Sequence, residues 1–181
     1  MHDWNRMTRP DITAALGCML IKYVFHYPDQ RIYWAEEVTY DYTLTNPIRV
    51  DFMRFKPRNT LPSGLEQSEF MAYEVKSCKA DFDSGHGLNF VGDLNYVVVP
   101  PHLVDYAREH APFGVGIYTP VVEYGRGETL KCVKSSRRFP RKRPALELLF
   151  GMTRSLGREH IKGLKDSMDV EPAMEQKELE I

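Results

Sequence analysis

The chain has no uninterrupted apolar run near the roughly 18 residues a membrane-spanning helix needs, so no transmembrane segment is expected. Its first residues, Met1-His2-Asp3-Trp4-Asn5-Arg6, lack the charged-then-apolar order of a secretory leader, and no export signal is expected. Cysteine is scarce: Cys18, Cys78 and Cys132 are an odd number at wide spacing. They provide neither a disulfide framework nor a Cys-x-x-Cys metal knuckle, which suits a reducing cytoplasm, and they are expected to be small buried residues. A strong net charge is missing too, since 24 Lys and Arg against 25 Asp and Glu leave −1. No internal repeat is visible.

What is present fits one soluble domain. The 181 residues are 43% hydrophobic and 12% aromatic, ample for a single core. The balanced charge is nevertheless segregated. Residues 166–181 hold six acids (Asp166, Asp169, Glu171, Glu175, Glu178, Glu180) and one base, Lys177, and read as a disordered acidic tail after a domain over 1–165. Positive charge gathers in Lys131, Lys134, Arg137, Arg138, Arg141, Lys142 and Arg143, thirteen residues without an acid. Such a run attracts polyanions and displaces counterions from a phosphate backbone; a solvated flexible loop is the alternative reading of the same charges.

Periodicity sets the element order. Thr8-Arg9-Pro10-Asp11 predicts a helix start, and Ile12, Leu16, Met19, Leu20 and Tyr23 continue it as one apolar stripe, stopped at Pro28-Asp29. Strands are predicted over about 31–42, 48–56 and 69–77, interrupted at Asn46-Pro47 and by a Pro/Gly/Asn loop over 57–64. A buried strand over 95–99, a short helix from Pro100-Pro101 to His110, a strand over 113–119 and an edge hairpin around Gly125-Arg126-Gly127 follow. A last helix is predicted over about 145–163. The first three strands suit an antiparallel meander, and the segment from Ser77 to Leu94 is long enough for a parallel crossover. The expected class is α/β, a mixed sheet flanked by helices.

Two polar islands interrupt the apolar strands: Asp51 in Arg49-Val50-Asp51-Phe52-Met53, and Glu74-Val75-Lys76 after Phe70-Met71-Ala72-Tyr73. Strand alternation puts Glu74 and Lys76 on one face, and pairing of the two segments would bring Asp51 to Glu74. Adjacent carboxylates repel unless a cation joins them, and all-oxygen ligation suits Mg²⁺ or Mn²⁺. A neighbouring lysine can orient water or offset charge on a phosphoryl transition state. Glu-x-Lys alone carries no weight, since Glu175-Gln176-Lys177 repeats it in the tail. Its setting in an apolar strand gives the first copy meaning; a structural Lys–Glu pair at a sheet edge is the bland reading.

The string Tyr73-Glu74-Val75-Lys76-Ser77-Cys78-Lys79-Ala80-Asp81-Phe82 resembles the motif of PD-(D/E)xK nucleases, specifically their MmcB-like DNA-repair branch. The likeness continues through residues 88–100, which end in Val97-Val98-Val99-Pro100, and at pattern level through Glu37-Val38-Thr39, Arg49-Val50-Asp51 and Phe113–Tyr118. It implies a restriction-endonuclease-like αβββαβ core. It also implies that Asp51 and Glu74 bind Mg²⁺ (or Mn²⁺) with the Val75 carbonyl, that Lys76 positions or activates water, and that Glu37 is the first-strand acid. Val50 stands where the family name has proline. Strand alternation leaves Glu36 and Glu37 exchangeable in that last role.

The expected function is metal-dependent hydrolysis of DNA phosphodiester bonds in repair or recombination, in the cytoplasm, with the basic segment tracking the DNA. Two rivals stand beside it: a catalytically silent nucleic-acid-binding module on the same fold, and an interaction subunit using the basic loop and acidic tail. Expected partners are DNA and repair or recombination proteins, not a membrane; cutting both strands of a duplex would favour a homodimer.

Overall fold

Thr8 and Pro10 start the first helix where the sequence predicts it. The Thr8 side chain accepts from the Asp11 N–H at 3.4 Å and donates to the Asp11 carboxylate at 2.6 Å, and Pro10 lies in the first turn, where no N–H is needed. The computed structural model describes residues 2–25, 31–41, 45, 47–85, 87–88 and 90–168. Helix α1 (Arg9–Leu20) runs into a single π-turn, Ile21–Phe25; the expected stop at Pro28-Asp29 lies outside the described residues.

Six strands follow in a sheet whose spatial order equals their chain order: β1 (Tyr33–Tyr40), β2 (Ile48–Lys56), β3 (Glu69–Val75), β4 (Leu94–Val98), β5 (Gly116–Glu123) and β6 (Gly127–Lys134). The first three form an antiparallel meander, β3, β4 and β5 run parallel, and β5–β6 is an antiparallel hairpin. Short helices α2 (Pro62–Glu66) and α3 (Lys79–Asp83) lie in the connections before and after β3. A 3₁₀ turn and α4 (Val104–His110) join β4 to β5, and α5 (Ala145–Met168) closes the described chain.

Alternation along β3 and β4 sorts the core into two layers. Tyr73, Val75, Tyr96 and Val98 meet Leu16, Leu20 and Phe25 on the α1 face. Phe70 and Ala72 face the opposite way, where Leu148 and Met152 of α5 pack with Val38, Val50 and Met53. Further along that side, Phe82, Leu103 and Ala107 cover Val97, Val99 and Ile117. Glu74 and Lys76 continue the face of Phe70 and Ala72 and emerge beside Val97, which is in register with Glu74.

Several expectations need correcting. β5 starts at Gly116 because Val115 N–H closes a turn onto Pro112 O at 3.1 Å and Gly114 takes a left-handed φ of 82°. The loop over 57–64 runs into α2, where Pro62 serves as a first-turn residue, not a breaker. Helix α5 continues through Gly163 to Met168, taking in the first residues assigned to the tail; 169–181 lie outside the described residues. Cys18 and Cys132 are exposed and Cys78 is half-buried, so the cysteines are not core residues.

Candidate active site

The β2–β3 ladder runs from Lys56↔Glu69 to Phe52↔Tyr73 and stops one rung short of Asp51 and Glu74. In place of that rung the Asp51 carboxylate accepts the Val75 N–H at 2.8 Å, so a side chain satisfies a donor that the parting strands leave behind. The opening forms a cleft of about 760 Å³ whose lining includes Asp51, Glu74, Val75 and Lys76, with Arg49 and Asp81. The two carboxyl groups are close enough that each acts electrostatically on the other.

Glu74 and Lys76 are each only 3% exposed. Burial, then the Asp51 charge, push the Glu74 carboxyl up to about 10 against the pull of Lys76. Burial also raises Asp51, against the Val75 hydrogen bond and the Lys76 charge. Without a further cation this pair therefore keeps a proton at neutral pH. Lys76 is fixed from the other side: its Nζ donates to the Asp81 carbonyl at 3.3 Å and lies 3.6 Å from the Asp81 carboxylate. The same carboxylate accepts from Ser77 N–H at 3.2 Å, so Asp81 tethers the first turn of α3 and the lysine together. Asp81 thus combines capping of the turn into α3 with a contact to the site.

Gly87 closes the cleft over Glu74. It has a left-handed φ of 76°, and a Cβ there would stand 2.3 Å from Glu74 Oε2. His86, between Gly85 and Gly87 in the sequence, lies outside the described residues.

Glu37 is placed differently from the trio. Its backbone is left-handed (φ 51°), and the β1–β2 ladder skips it, passing from Glu36↔Phe52 to Val38↔Val50. The kink resets alternation, so that Ala35 and Val38, three apart, both enter the α5-side core. Glu37 is turned outward to an ion pair with Arg49 at 3.5 Å. Glu36 and Glu37 both line an adjoining groove of about 370 Å³ between α1 and the β1–β2 pair, which shares Asp51 and Val75 with the cleft. Neither lines the cleft that holds Glu74 and Lys76.

The basic segment is not brought to this site. None of its seven cations lines the cleft. Arg141 is tied to Asp93 at 3.1 Å and to the Glu66 carbonyl at 2.7 Å, and Arg138 to Glu69, all at the starts of β3 and β4, whereas Glu74 and Lys76 stand at the end of β3. Arg143 bridges Asp41 and Glu147, and Lys131 pairs with Glu123 at 2.9 Å. Arg137 lies over the Phe113 ring at 4.7 Å, Lys134 ends β6, and Lys142 borders a small apolar pocket. The segment works in the fold as a strap, and three of the acids that hold it, Glu69, Asp93 and Asp41, are distant in sequence, where local charge counting could not foresee them.

Among the described residues no group of three or more His, Cys, Asp or Glu side chains is arranged around a common metal position. The donor set on offer is two carboxylates, Asp51 and Glu74, with the backbone carbonyl of Val75. All are hard oxygen donors, and a cation between the two carboxylates would offset their repulsion, so in donor chemistry the residues fit Mg²⁺ or Mn²⁺. Arg49 and Gly87 were not singled out as site residues from sequence; the one available signal was the position of Arg49, two strand residues from Asp51. Compared with protein-family models, curated proteins and solved structures, the chain matches none.

Proposed function

We propose that this cleft hydrolyses phosphodiester bonds in DNA with Mg²⁺ or Mn²⁺, and that the chain is a cytoplasmic nuclease of the PD-(D/E)xK type, nearest in motif to the MmcB-like repair branch. The observation that carries the reading is the convergence of Asp51, Glu74 and Lys76 on one cleft, with Glu74 near the end of a largely apolar strand and Lys76 just beyond it, each only 3% exposed. With the five-residue α2 between β2 and β3 set aside, the order α1, β1, β2, β3, α3, β4 agrees with an αβββαβ core. No helix is long and apolar enough to cross a membrane among the described residues.

Asp51 and Glu74, with the Val75 carbonyl, would hold the cation, which supplies Lewis-acid polarisation of the phosphate and a more acidic water. Lys76, held in place by Asp81, orients the attacking water and offsets charge growing on the phosphoryl oxygens. Burial of its side chain and the hold of Asp81 on its Nζ restrict where the ammonium can go, which is what a positioned group requires.

Cleavage of labelled single-stranded, nicked, flapped and duplex DNA in Mg²⁺, Mn²⁺ or EDTA tests the proposal. Metal-dependent cutting that is lost in Asp51→Ala and Lys76→Ala is the expected result. Salt-dependent DNA binding without cutting under any condition would overturn it in favour of a binding module.

A further inference from the structure

Two cations, Lys76 and Arg49, belong to the described lining of the cleft, and they differ in what they can reach. Lys76 is buried and tethered to Asp81. The Arg49 side chain is 63% exposed, and its Nη1 lies 3.5 Å from Oε2 of Glu37, itself 52% exposed. In the β1–β2 register Arg49 faces Thr39, which makes Glu37 its diagonal neighbour, a separation that long side chains span. The pair is long and solvated, so it binds the guanidinium weakly while limiting where it can point. Glu37 is in turn fixed from behind, since its backbone carbonyl accepts from Arg158 of α5 at 2.9 Å.

We infer that Arg49 binds a non-bridging phosphate oxygen of the nucleic-acid strand in the cleft, and that Glu37 is its positioning residue. The inference rests on the proposed nuclease reading and supplies a phosphate contact inside the cleft, separate from the backbone tracking expected of the basic segment. A guanidinium offers two parallel N–H donors to a phosphate, a stronger and more directional interaction than its existing contact with Glu37. Arriving phosphate therefore takes over the outward donors while the Glu37 carboxylate limits where the guanidinium can point at the cleft. Glu37 acts on the substrate only through Arg49.

The test combines metal-free DNA binding by anisotropy with steady-state cleavage for wild type, Arg49→Ala, Arg49→Lys, Glu37→Gln and the Arg49→Ala/Glu37→Gln double variant. Arg49→Ala is expected to weaken binding and raise KM about ten- to a hundredfold, the effect of one charge-assisted phosphate contact. Its kcat is expected to change less than about threefold, because the interaction is made equally in ground and transition states. Arg49→Lys recovers only part of the loss, since it keeps charge without the fork. Added guanidinium ion improves binding by Arg49→Ala and leaves Lys76→Ala unimproved. Glu37→Gln shows a smaller KM effect that vanishes in the Arg49→Ala background, as expected of coupled residues.

Wild-type KM and binding in Arg49→Ala would overturn the inference, as would independent, multiplicative effects of the two substitutions. Wild type that binds DNA through Arg49 but never cuts it would remove the nuclease reading and leave this contact standing. Wild type that neither binds nor cuts would overturn both.

Discussion

The Asp51 carboxylate accepts the Val75 N–H at 2.8 Å, where the next rung of the β2–β3 ladder would otherwise fall. One oxygen thus terminates strand pairing while the carboxyl group as a whole faces Glu74. Function and fold make different demands on this group, and substitutions can separate them. In EDTA, Asp51→Ala is expected to cost about 1–3 kcal/mol by orphaning the Val75 N–H. Asp51→Asn keeps an acceptor and removes a repelling charge, so it should be at least as stable as wild type while losing cleavage. Urea unfolding beside the DNA assay checks both; equal stability of the two variants would refute the dual role.

The carboxyl pair also predicts a pH dependence. Burial and the Asp51 charge raise Glu74 from 4.5 to about 10, so the folded state favours its protonated form. Stability from this group is fully present below pH 4.5, declines as pH rises, and is lost through pH 10. Urea midpoints of the metal-free protein should therefore fall across that window, and Glu74→Gln should flatten the slope. A midpoint that rises over the same range in wild type, and not in Glu74→Gln, would contradict the assignment.

Two glycines in the same loop should behave differently. Gly85 and Gly87 both have left-handed φ values, 67° and 76°, but only at Gly87 would a Cβ strike Glu74. Gly85→Ala is expected to cost about 1–2 kcal/mol in backbone strain and to leave the site intact. Gly87→Ala must displace Glu74 or the loop, with a loss of cleavage of tenfold or more, roughly the effect of misplacing a reacting group by an ångström. Equal activity of the two variants would show that the loop does not hold Glu74.

Within the basic segment, Arg141 and Lys142 should separate stability from binding. Arg141 joins Asp93, whose carboxylate also accepts the Phe70 N–H at 2.9 Å, and only 17% of the Arg141 side chain is exposed. Arg141→Ala leaves a buried carboxylate without its counterion and is expected to destabilise by about 3–5 kcal/mol. Lys142 is exposed, and Lys142→Ala should stay within about 0.5 kcal/mol of wild type. Denaturation curves decide; a mild Arg141→Ala would show that the strap is not structural.

Local pattern determined much of this molecule. Thr8, Pro10 and the apolar stripe after them defined α1, and the alternating runs fixed β2 at both ends and β3 at its start. The period of two put Glu74 and Lys76 on one face, since successive strand side chains must point oppositely. What the tertiary structure alone decided was which groups meet across long stretches of chain. The parting of β2 from β3 opened the cleft beside Asp51. A left-handed residue at Glu37 reset alternation and gave Arg49 its partner, and Asp93, Glu69 and Asp41 drew the basic segment into the fold and away from the site. Periodicity reports the direction a side chain takes from its own backbone. The charge it finds there depends on how strands and loops distant in sequence come together.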